Sequence, residues 1–221
     1  MNVKFEGDSK EYEQLKQAAS QIRGVEGLVL EIGTRLGRGI YEMMQACAQN
    51  KDHRYFIGID PYGGTHYSDQ MMAEFLANMY SYCLENNMFY RHFLLDDAEF
   101  MAQYPDGITV YEHDSNKKSV GQSQKADHNQ DGRQTNNPLG WRKKKLINTY
   151  ALIHVDGSHK TLPVIAVTEF FIPRVSVGGF IVYDDVGMYN HSIIDNVLIK
   201  RGFKVVTRGG TKITYKKTKD E

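Results

Sequence analysis

The segment that most constrains the fold runs from Leu28 to Gly39 and reads LVLEIGTRLGRG. Its apolar start predicts a buried strand that ends at Glu31, and Gly33 predicts a turn into a helix that begins near Gly37. Glycines at such a turn leave the backbone N–H groups of a helix N-terminus open to a ligand, because no Cβ atom blocks the approach. The segment therefore predicts a strand, turn and helix that together bind a small molecule.

The spacing of the glycines separates this segment from two common nucleotide-binding loops. The dinucleotide fingerprint requires G-x-G-x-x-G and the phosphate-binding loop requires G-x-x-x-x-G-K-[ST], and neither pattern is present. The observed pattern resembles the first motif of the class I S-adenosylmethionine-dependent methyltransferases, whose glycines pass close to the amino-acid part of the cofactor. The resemblance implies a cofactor site that includes Glu31, Gly33, Thr34, Gly37 and Gly39. A glycine-rich turn without a ligand is the alternative.

The composition predicts one globular domain and gives no sign of a charged macromolecular partner. The chain has 221 residues, of which 41% are hydrophobic, and its 27 basic and 27 acidic side chains cancel. Nucleic acid and membrane are therefore not expected as partners, and the basic segments 117–145 and 200–221 are expected to be solvated. A homo-oligomer is compatible with the sequence.

The two cysteines and the start of the chain point to the cytoplasm. Cys47 and Cys83 fall in helical apolar patterns, which suits reduced core thiols better than a disulfide or a metal site. No stretch approaches the ~18 apolar residues of a membrane-spanning helix. The first residues are too polar for a signal peptide, so a cytoplasmic protein is expected.

Alternating strands and helices predict an α/β fold. Strands are expected at 27–32, 55–59, 108–112, 150–155, 180–183, 203–208 and 212–215, and helices at 9–22, 37–49, 68–85, 96–104, 161–175 and 192–201. Gly178-Gly179 is expected to turn the chain into the fifth strand, and Gly209-Gly210 predicts an antiparallel hairpin at the end. The polar stretch 118–148 is expected to be a long loop, either a lid or a simple insertion.

The methyltransferase resemblance implies how these elements are arranged. It implies a Rossmann-like, doubly wound, mostly parallel seven-stranded sheet with a C-terminal antiparallel hairpin. The whole chain, 1–221, would then form a single methyltransferase domain with an N-terminal helix at about 9–22 and an insertion at about 118–148.

Acidic residues follow five of the predicted strands. They are Glu31, Asp60, Asp114, Asp156, Asp184 and Asp185. Ligands of an open parallel sheet bind outside the carboxyl ends of its strands. Any one of these acids could instead cap a helix, but six acids at five strand ends favour a ligand site. By position, the resemblance implies that Asp60 binds the ribose hydroxyls of the cofactor and that Asp114 and Ser115 contact its adenine.

A second group of acids predicts a cation site. If the strands that end at Asp156 and Asp184 are neighbours, the carboxylates of Asp156, Asp184 and Asp185 converge and repel each other. A divalent cation would relieve that repulsion, and oxygen ligands suit Mg²⁺ or another hard divalent cation. His159, three residues after Asp156, could act as a general base at neutral pH.

The motifs VDGSH and YDD together resemble one branch of the methyltransferases between Gly27 and Asp185, the insertion excepted. This branch contains the metal-dependent O-methyltransferases of the macrocin and mycinamicin type, which modify sugar hydroxyls. The resemblance implies that Asp156, Asp184 and Asp185 hold the metal and that His159 takes the hydroxyl proton, with Asp156 as a second candidate base. The acceptor would be a small hydroxylated molecule.

Two other classes of function stay open. A nicotinamide-dependent oxidoreductase of Rossmann-like fold is disfavoured by the glycine spacing. A non-catalytic cofactor-binding module is suggested only by the polar insertion. A nucleic-acid methyltransferase is disfavoured because the sequence lacks the Asn/Asp-Pro-Pro-aromatic motif of amino-methylating enzymes.

Overall fold

A computed structural model describes residues 5–7, 9–63, 67–113 and 141–220. The helices are α1 (Tyr12–Ser20), α2 (Arg38–Gln49), α3 (Asp69–Asn86), α4 (Asp97–Gln103), α5 (Thr161–Phe171) and α6 (His191–Lys200). The strands are β1 (Leu28–Ile32), β2 (Tyr55–Ile59), β3 (Phe89–Phe93), β4 (Ile108–His113), β5 (Trp141–Ile147), β6 (Tyr150–Val155), β7 (Val175–Tyr183), β8 (Phe203–Arg208) and β9 (Ile213–Lys217). A short 3-10 helix (Ile172–Arg174) follows α5.

Seven of the strands form one sheet in the order β3-β2-β1-β6-β7-β9-β8. The first five are parallel, while β9 runs antiparallel to both β7 and β8. The expected fold class, a Rossmann-like, mostly parallel seven-stranded sheet with a C-terminal antiparallel hairpin, is thereby confirmed. Every residue of the central strands β1 and β6 is buried, as expected for strands that are apolar apart from Glu31 and His154.

The contacts divide the chain into two compact units, residues 1–105 with 148–221 and residues 106–147. The first unit contains the seven-stranded sheet and all six of the helices above. In the second unit the described residues form a two-stranded antiparallel sheet of β4 and β5.

The prediction of the third strand was wrong. The third parallel strand is β3, at 89–93, and not the segment 108–112, which pairs antiparallel with β5. The sequence of β3 reads FYRHF, and only Tyr90 and Phe93 are buried, because β3 lies at the edge of the sheet. Charged Arg91 therefore interrupts the apolar run that would mark a central strand. The prediction of a polar loop over 118–148 was also wrong at its end, because β5 lies there. The antiparallel pairing of β4 with β5 uses backbone groups, so it does not require an apolar run in the sequence.

The predicted turn at Gly178-Gly179 was also wrong. Both glycines lie inside β7, where the register against β6 shifts between Tyr150 and Leu152. Gly178 has a φ of 87°, so this glycine allows an irregular backbone conformation within the strand. The helix before it ends at Phe171, four residues earlier than predicted, and continues as the 3-10 helix.

The core covers both cysteines. Cys47 and Cys83 are free thiols in the apolar cluster that α1, α2 and α3 form, as predicted. Burial raises the pKa of each thiol to about 12, so neither is a reactive thiolate at neutral pH. Among the described residues, no helix combines the length and the apolar character that crossing a bilayer would require.

Candidate active site

The carboxyl ends of five parallel strands surround a cleft of about 380 Å³ in the first unit. That volume lies in the usual range for small-molecule sites. The lining residues are Ser9, Ile32, Gly33, Arg35, Ile59, Asp60, Pro61, Tyr67, Leu95, Asp96, Asp97, Asp156, Gly157, Ser158, His159 and Asp185. The cleft therefore brings the β1–α2 turn together with Asp156, His159 and Asp185.

The glycines of the β1–α2 turn are required mainly by close packing. Gly33 has a φ of 82°, and a Cβ atom there would overlap the carbonyl oxygen of Asp156. Gly37, with a φ of 78°, faces the ring of Phe75, and Gly39 faces the carboxylate of Glu31. Of the cofactor residues predicted at this turn, Gly33 lines the cleft, while Glu31, Thr34, Gly37 and Gly39 are buried around it.

Glu31 points into the core beneath the turn. Its Oε2 accepts a hydrogen bond from the backbone N–H of Ile40 (3.0 Å), and its Oε1 lies 2.9 Å from Nδ1 of His154. Burial raises the pKa of Glu31 well above its usual range, and burial together with the charge of Lys212 lowers the pKa of His154 to about 3. The pair thus ties the start of α2 to β6.

Asp60 is held at the cleft by two backbone hydrogen bonds. Its Oδ2 accepts from the N–H of Arg35 (2.9 Å) and its Oδ1 accepts from the N–H of Tyr62 (3.2 Å). These bonds orient the carboxylate, and each oxygen keeps a further lone pair for a ligand hydroxyl. The carboxylate of Asp60 is therefore a rigidly held hydrogen-bond acceptor at the end of β2.

The predicted adenine contacts, Asp114 and Ser115, lie outside the described residues. In the cleft, the third strand position is taken by Leu95, Asp96 and Asp97, which follow β3. Asp96 forms a capping box with Glu99 at the start of α4, and burial raises the pKa of Asp97. These two acids were missed because β3 was missed. The signal that the sequence does offer is the group of aromatic residues at 89, 90 and 93, just before them.

Three of the predicted catalytic and metal residues converge in the cleft. Nε2 of His159 lies 3.0 Å from Oδ2 of Asp185, and single ligand atoms of Asp156, His159 and Asp185 all lie within 4.8 Å of one another. Burial and the charge of Asp184 raise the pKa of Asp156 to about 9. Asp185 has a φ of 48°, which a residue with a side chain rarely adopts, and such strain is typical of functional sites.

Asp184 is buried next to the cleft and is already paired. The pairing of β7 with β9 places Tyr183 opposite Ile213, so Asp184 lies beside Lys212. Its Oδ2 accepts hydrogen bonds from Nζ of Lys212 and from Oγ of Ser9, and none of its surface lines the cleft as described.

The expectation that the basic segment 200–221 is solvated was wrong for two lysines. Lys212 has no exposed surface and Lys217 has 5%. Lys212 is held by Asp184, and Lys217 donates to the carbonyl oxygen of Val175 (2.9 Å). A buried lysine needs such a partner, and the sequence did not indicate these two because they lie 28 and 42 residues away in the chain.

A model of a methyltransferase domain family matches residues 30–186, which includes the glycine turn, Asp60, the VDGSH segment and both aspartates after β7. The chain therefore belongs to this family, and its fold is that of an S-adenosylmethionine-dependent methyltransferase domain. No curated protein sequence matches the chain.

Solved structures of similar fold come from several kinds of methyltransferase. CalS11, a TDP-rhamnose 3'-O-methyltransferase of calicheamicin biosynthesis, is 14% identical, with 93% of this chain and 77% of that chain covered and a TM-score of 0.56. An rRNA methylase from Streptococcus thermophilus is 9% identical, with coverage of 97% and 100% and a TM-score of 0.52.

The structure of MycE from the mycinamycin pathway, in complex with Mg and SAH, is 13% identical, with a TM-score of 0.50. The alignment covers 95% of this chain but only 49% of MycE. At these identities the likeness concerns the fold alone.

Proposed function

We propose that this protein transfers a methyl group from S-adenosylmethionine to a hydroxyl group of a small molecule such as a sugar, with the help of a divalent cation. The observation that carries the proposal is that one cleft contains both Asp60, a rigidly held hydrogen-bond acceptor, and a cluster of Asp156, His159 and Asp185. The family assignment supplies the methyl donor, and the cluster suggests the kind of acceptor. The family assignment also argues against a nicotinamide-dependent oxidoreductase.

In the donor half of the cleft, Asp60 accepts hydrogen bonds from the ribose hydroxyls of the cofactor. Gly33 lets the amino-acid part of the cofactor approach the turn, while Glu31, Thr34, Gly37 and Gly39 shape the turn from behind. Asp96 and Asp97 stand at the strand end to which the resemblance assigned Asp114 and Ser115, so in this proposal they contact the adenine.

In the acceptor half, the donor atoms fit a hard cation. Asp156 and Asp185 offer carboxylate oxygens to the cleft, and Mg²⁺ is commonly bound by one or two carboxylates that leave other positions to water and substrate. Burial and the neighbouring carboxylate of Asp184 raise the pKa of Asp156, and a bound cation would stabilise its charged form. When bound, the cation would supply Lewis-acid chemistry that makes the acceptor hydroxyl more acidic.

His159 is the proposed general base. Its ring is partly exposed in the cleft, and Asp185 at 3.0 Å orients it. Asp156 is the second candidate for this role. Among the described residues, neither cysteine lines the cleft, so the proposal includes no covalent enzyme intermediate.

Isothermal titration with S-adenosylhomocysteine (SAH), with and without EDTA, tests the two halves separately. We expect one SAH to bind per chain in both conditions. Methyl transfer to hydroxylated acceptors is expected to stop with EDTA and to return with excess Mg²⁺. A protein that does not bind SAH would refute the proposal, and binding without transfer to any acceptor would favour the non-catalytic module.

The Asp185→Asn variant tests the acceptor half. We expect it to lower the rate of methyl transfer by on the order of a hundredfold, because a ligand oxygen of the cation and the partner of His159 lose their charge. Its SAH affinity should stay within about threefold of the parent, since SAH contacts the other half of the cleft. Asp195→Asn, in α6 and outside the cleft, is the control for a lost carboxylate. Equal rates in the parent and Asp185→Asn would contradict the proposed role.

A further inference from the structure

Lys212 is the most fully enclosed charge next to the cleft. Its side chain has no exposed surface, and its Nζ donates hydrogen bonds to Oδ2 of Asp184 and to Oγ of Ser9. Its backbone is held as well, because its N–H donates to Oε2 of Glu11 (2.9 Å) and its carbonyl oxygen accepts from Nε2 of Gln14 (3.3 Å). The ammonium group is therefore fixed in place by the N-terminal segment.

The carboxylate of Asp184 is fully engaged within the protein. Its Oδ1 accepts a hydrogen bond from the N–H of Asp185 (2.8 Å), and its Oδ2 accepts from Lys212 and Ser9. Its side chain is unexposed, whereas the side chain of Asp185 is 38% exposed. The two adjacent aspartates therefore face different environments, one the core and the other the cleft.

The side chains around Asp184 offer several atoms that can stabilise a cation, and one of them is a ring nitrogen of the buried His154. Nε2 of His154 is buried, has no hydrogen-bond partner among the described residues, and lies 3.9 Å from Oδ2 of Asp184. Ligand atoms of His154, Asp156 and Asp184 all lie within 4.8 Å of one another. Donor atoms gathered in this way stabilise a positive charge, and the ammonium group of Lys212 is the positive charge that the structure places at Asp184.

We propose that Lys212 is a positioning residue that serves as the resident cation of Asp184 and so keeps Asp184 out of the metal-binding set. Resting on the proposed function, this assigns the divalent cation to Asp156 and Asp185 on the cleft side, two carboxylates instead of three. The pairing of β7 with β9 thereby decides how many carboxylates bind the cation.

Two variants separate this assignment from a three-carboxylate site. Replacing the pair together, in Asp184→Asn/Lys212→Met, removes both charges and leaves the net charge of the site unchanged. Replacing the lysine alone, in Lys212→Met, frees the Asp184 carboxylate for the cation. Lys217→Met is the matched control, because Lys217 is also a buried lysine at the C-terminal hairpin but contacts Val175 and Asp220.

The measurement is Mn²⁺ binding, followed by electron paramagnetic resonance of free Mn²⁺, with circular dichroism to confirm folding. We expect the double variant to bind Mn²⁺ within about threefold of the parent, and Lys212→Met to bind at least about tenfold more tightly because a unit charge close to the cation is lost. Lys217→Met should match the parent. Asp185→Asn should weaken binding by at least about tenfold.

Several outcomes would overturn the assignment. A double variant that loses Mn²⁺ as severely as Asp185→Asn would show that Asp184 is a ligand, and Lys212→Met with parental affinity would show that the lysine does not compete. If neither the parent nor Lys212→Met binds Mn²⁺, the assignment also fails, while SAH binding measured in parallel still reports on the donor half of the proposed function. If Lys212→Met binds Mn²⁺ and the parent does not, Lys212 does occupy Asp184, but the assignment of the cation to Asp156 and Asp185 is overturned.

A measurement on the parent protein covers the case in which these variants do not fold. The side-chain ammonium resonance of Lys212, observed in ¹⁵N-labelled protein, should persist and keep its slow hydrogen exchange when Mg²⁺ is added. Its loss on saturation with Mg²⁺ would mean that the cation displaces the lysine from Asp184, contrary to the proposal.

Discussion

At the scale of single residues, Gly33 and Gly24 allow the cost of close packing at the cleft to be measured. Both have nearly the same backbone conformation, with φ of 82° and 84°, but a Cβ at Gly24 would meet no described atom within 4 Å, while one at Gly33 would overlap the backbone of Asp156. We expect Gly24→Ala to lower the free energy of unfolding by about 1 kcal/mol and Gly33→Ala by about 3 kcal/mol or more. Urea denaturation measures both. Equal losses of unfolding free energy in the two variants would mean that the turn at Gly33 accommodates a Cβ atom without additional cost.

Asp60 carries the residue-scale prediction for the cofactor. Its carboxylate oxygens are oriented by the N–H groups of Arg35 and Tyr62, and the Asp60→Asn variant keeps the shape but removes the charge. We expect SAH to bind at least about tenfold more weakly, since a hydrogen bond to a charged group contributes about 1.5–3 kcal/mol. Calorimetry with SAH checks this, with Asp195→Asn as the control. Unchanged affinity would remove Asp60 from the proposed cofactor site.

At the scale of elements, the side chain of Glu11 attaches the N-terminal segment to the turn of the last hairpin. The carboxylate of Glu11 accepts hydrogen bonds from the N–H groups of Gly210, Thr211 and Lys212, and these bonds lower the pKa of Glu11. We expect Glu11→Ala to reduce the free energy of unfolding by about 1 kcal/mol and to speed amide exchange at 210–212. Exposed Glu13, replaced by alanine, is the control on the same helix. Unchanged amide exchange at 210–212 would show that the Glu11 carboxylate does not stabilise the turn of the hairpin.

Elements with a strong local signal were predicted from the sequence, and an element at the edge of the sheet was not. The strands β1, β2 and β6 are apolar runs, and the hairpin of β8 and β9 has a Gly-Gly turn, so each carries its own signal. The edge strand β3 buries only two of its five residues, and its sequence is too mixed to stand out. Since the ligands bind at strand ends, that single omission also hid Asp96 and Asp97.

At the scale of the whole molecule, stability depends on pH through buried histidines. Burial lowers the pKa of His191 to about 4, while Nε2 of His191 lies 2.7 Å from the hydroxyl oxygen of Tyr215. Between pH 6.5 and 4 the unfolded chain binds a proton at this residue and the folded chain does not. The stability that neutral His191 contributes is therefore complete above about pH 6.5 and is lost as the pH falls toward 4.

The His191→Gln variant isolates this effect from the other titrating groups. We expect the difference in unfolding free energy between the parent and the variant to shrink by about 1 to 2 kcal/mol from pH 7 to pH 5. Urea denaturation at the two pH values measures it, with His53→Gln as the control at an exposed histidine. A difference that is the same at both pH values would contradict the prediction.

The sequence by itself determined the strand, turn and helix at 28–49, the sheet class, and the position of Asp60, Asp156, His159 and Asp185 after their strands. These features follow from local patterns, namely apolar runs, glycine turns and the residue types at strand ends. Only the tertiary structure decided that Asp184 belongs to the core and Asp185 to the cleft. That choice depends on Lys212, which lies next to Asp184 only because β7 and β9 pair in one register. Such pairing between distant segments is set by the packing of the whole sheet, and no local pattern encodes it.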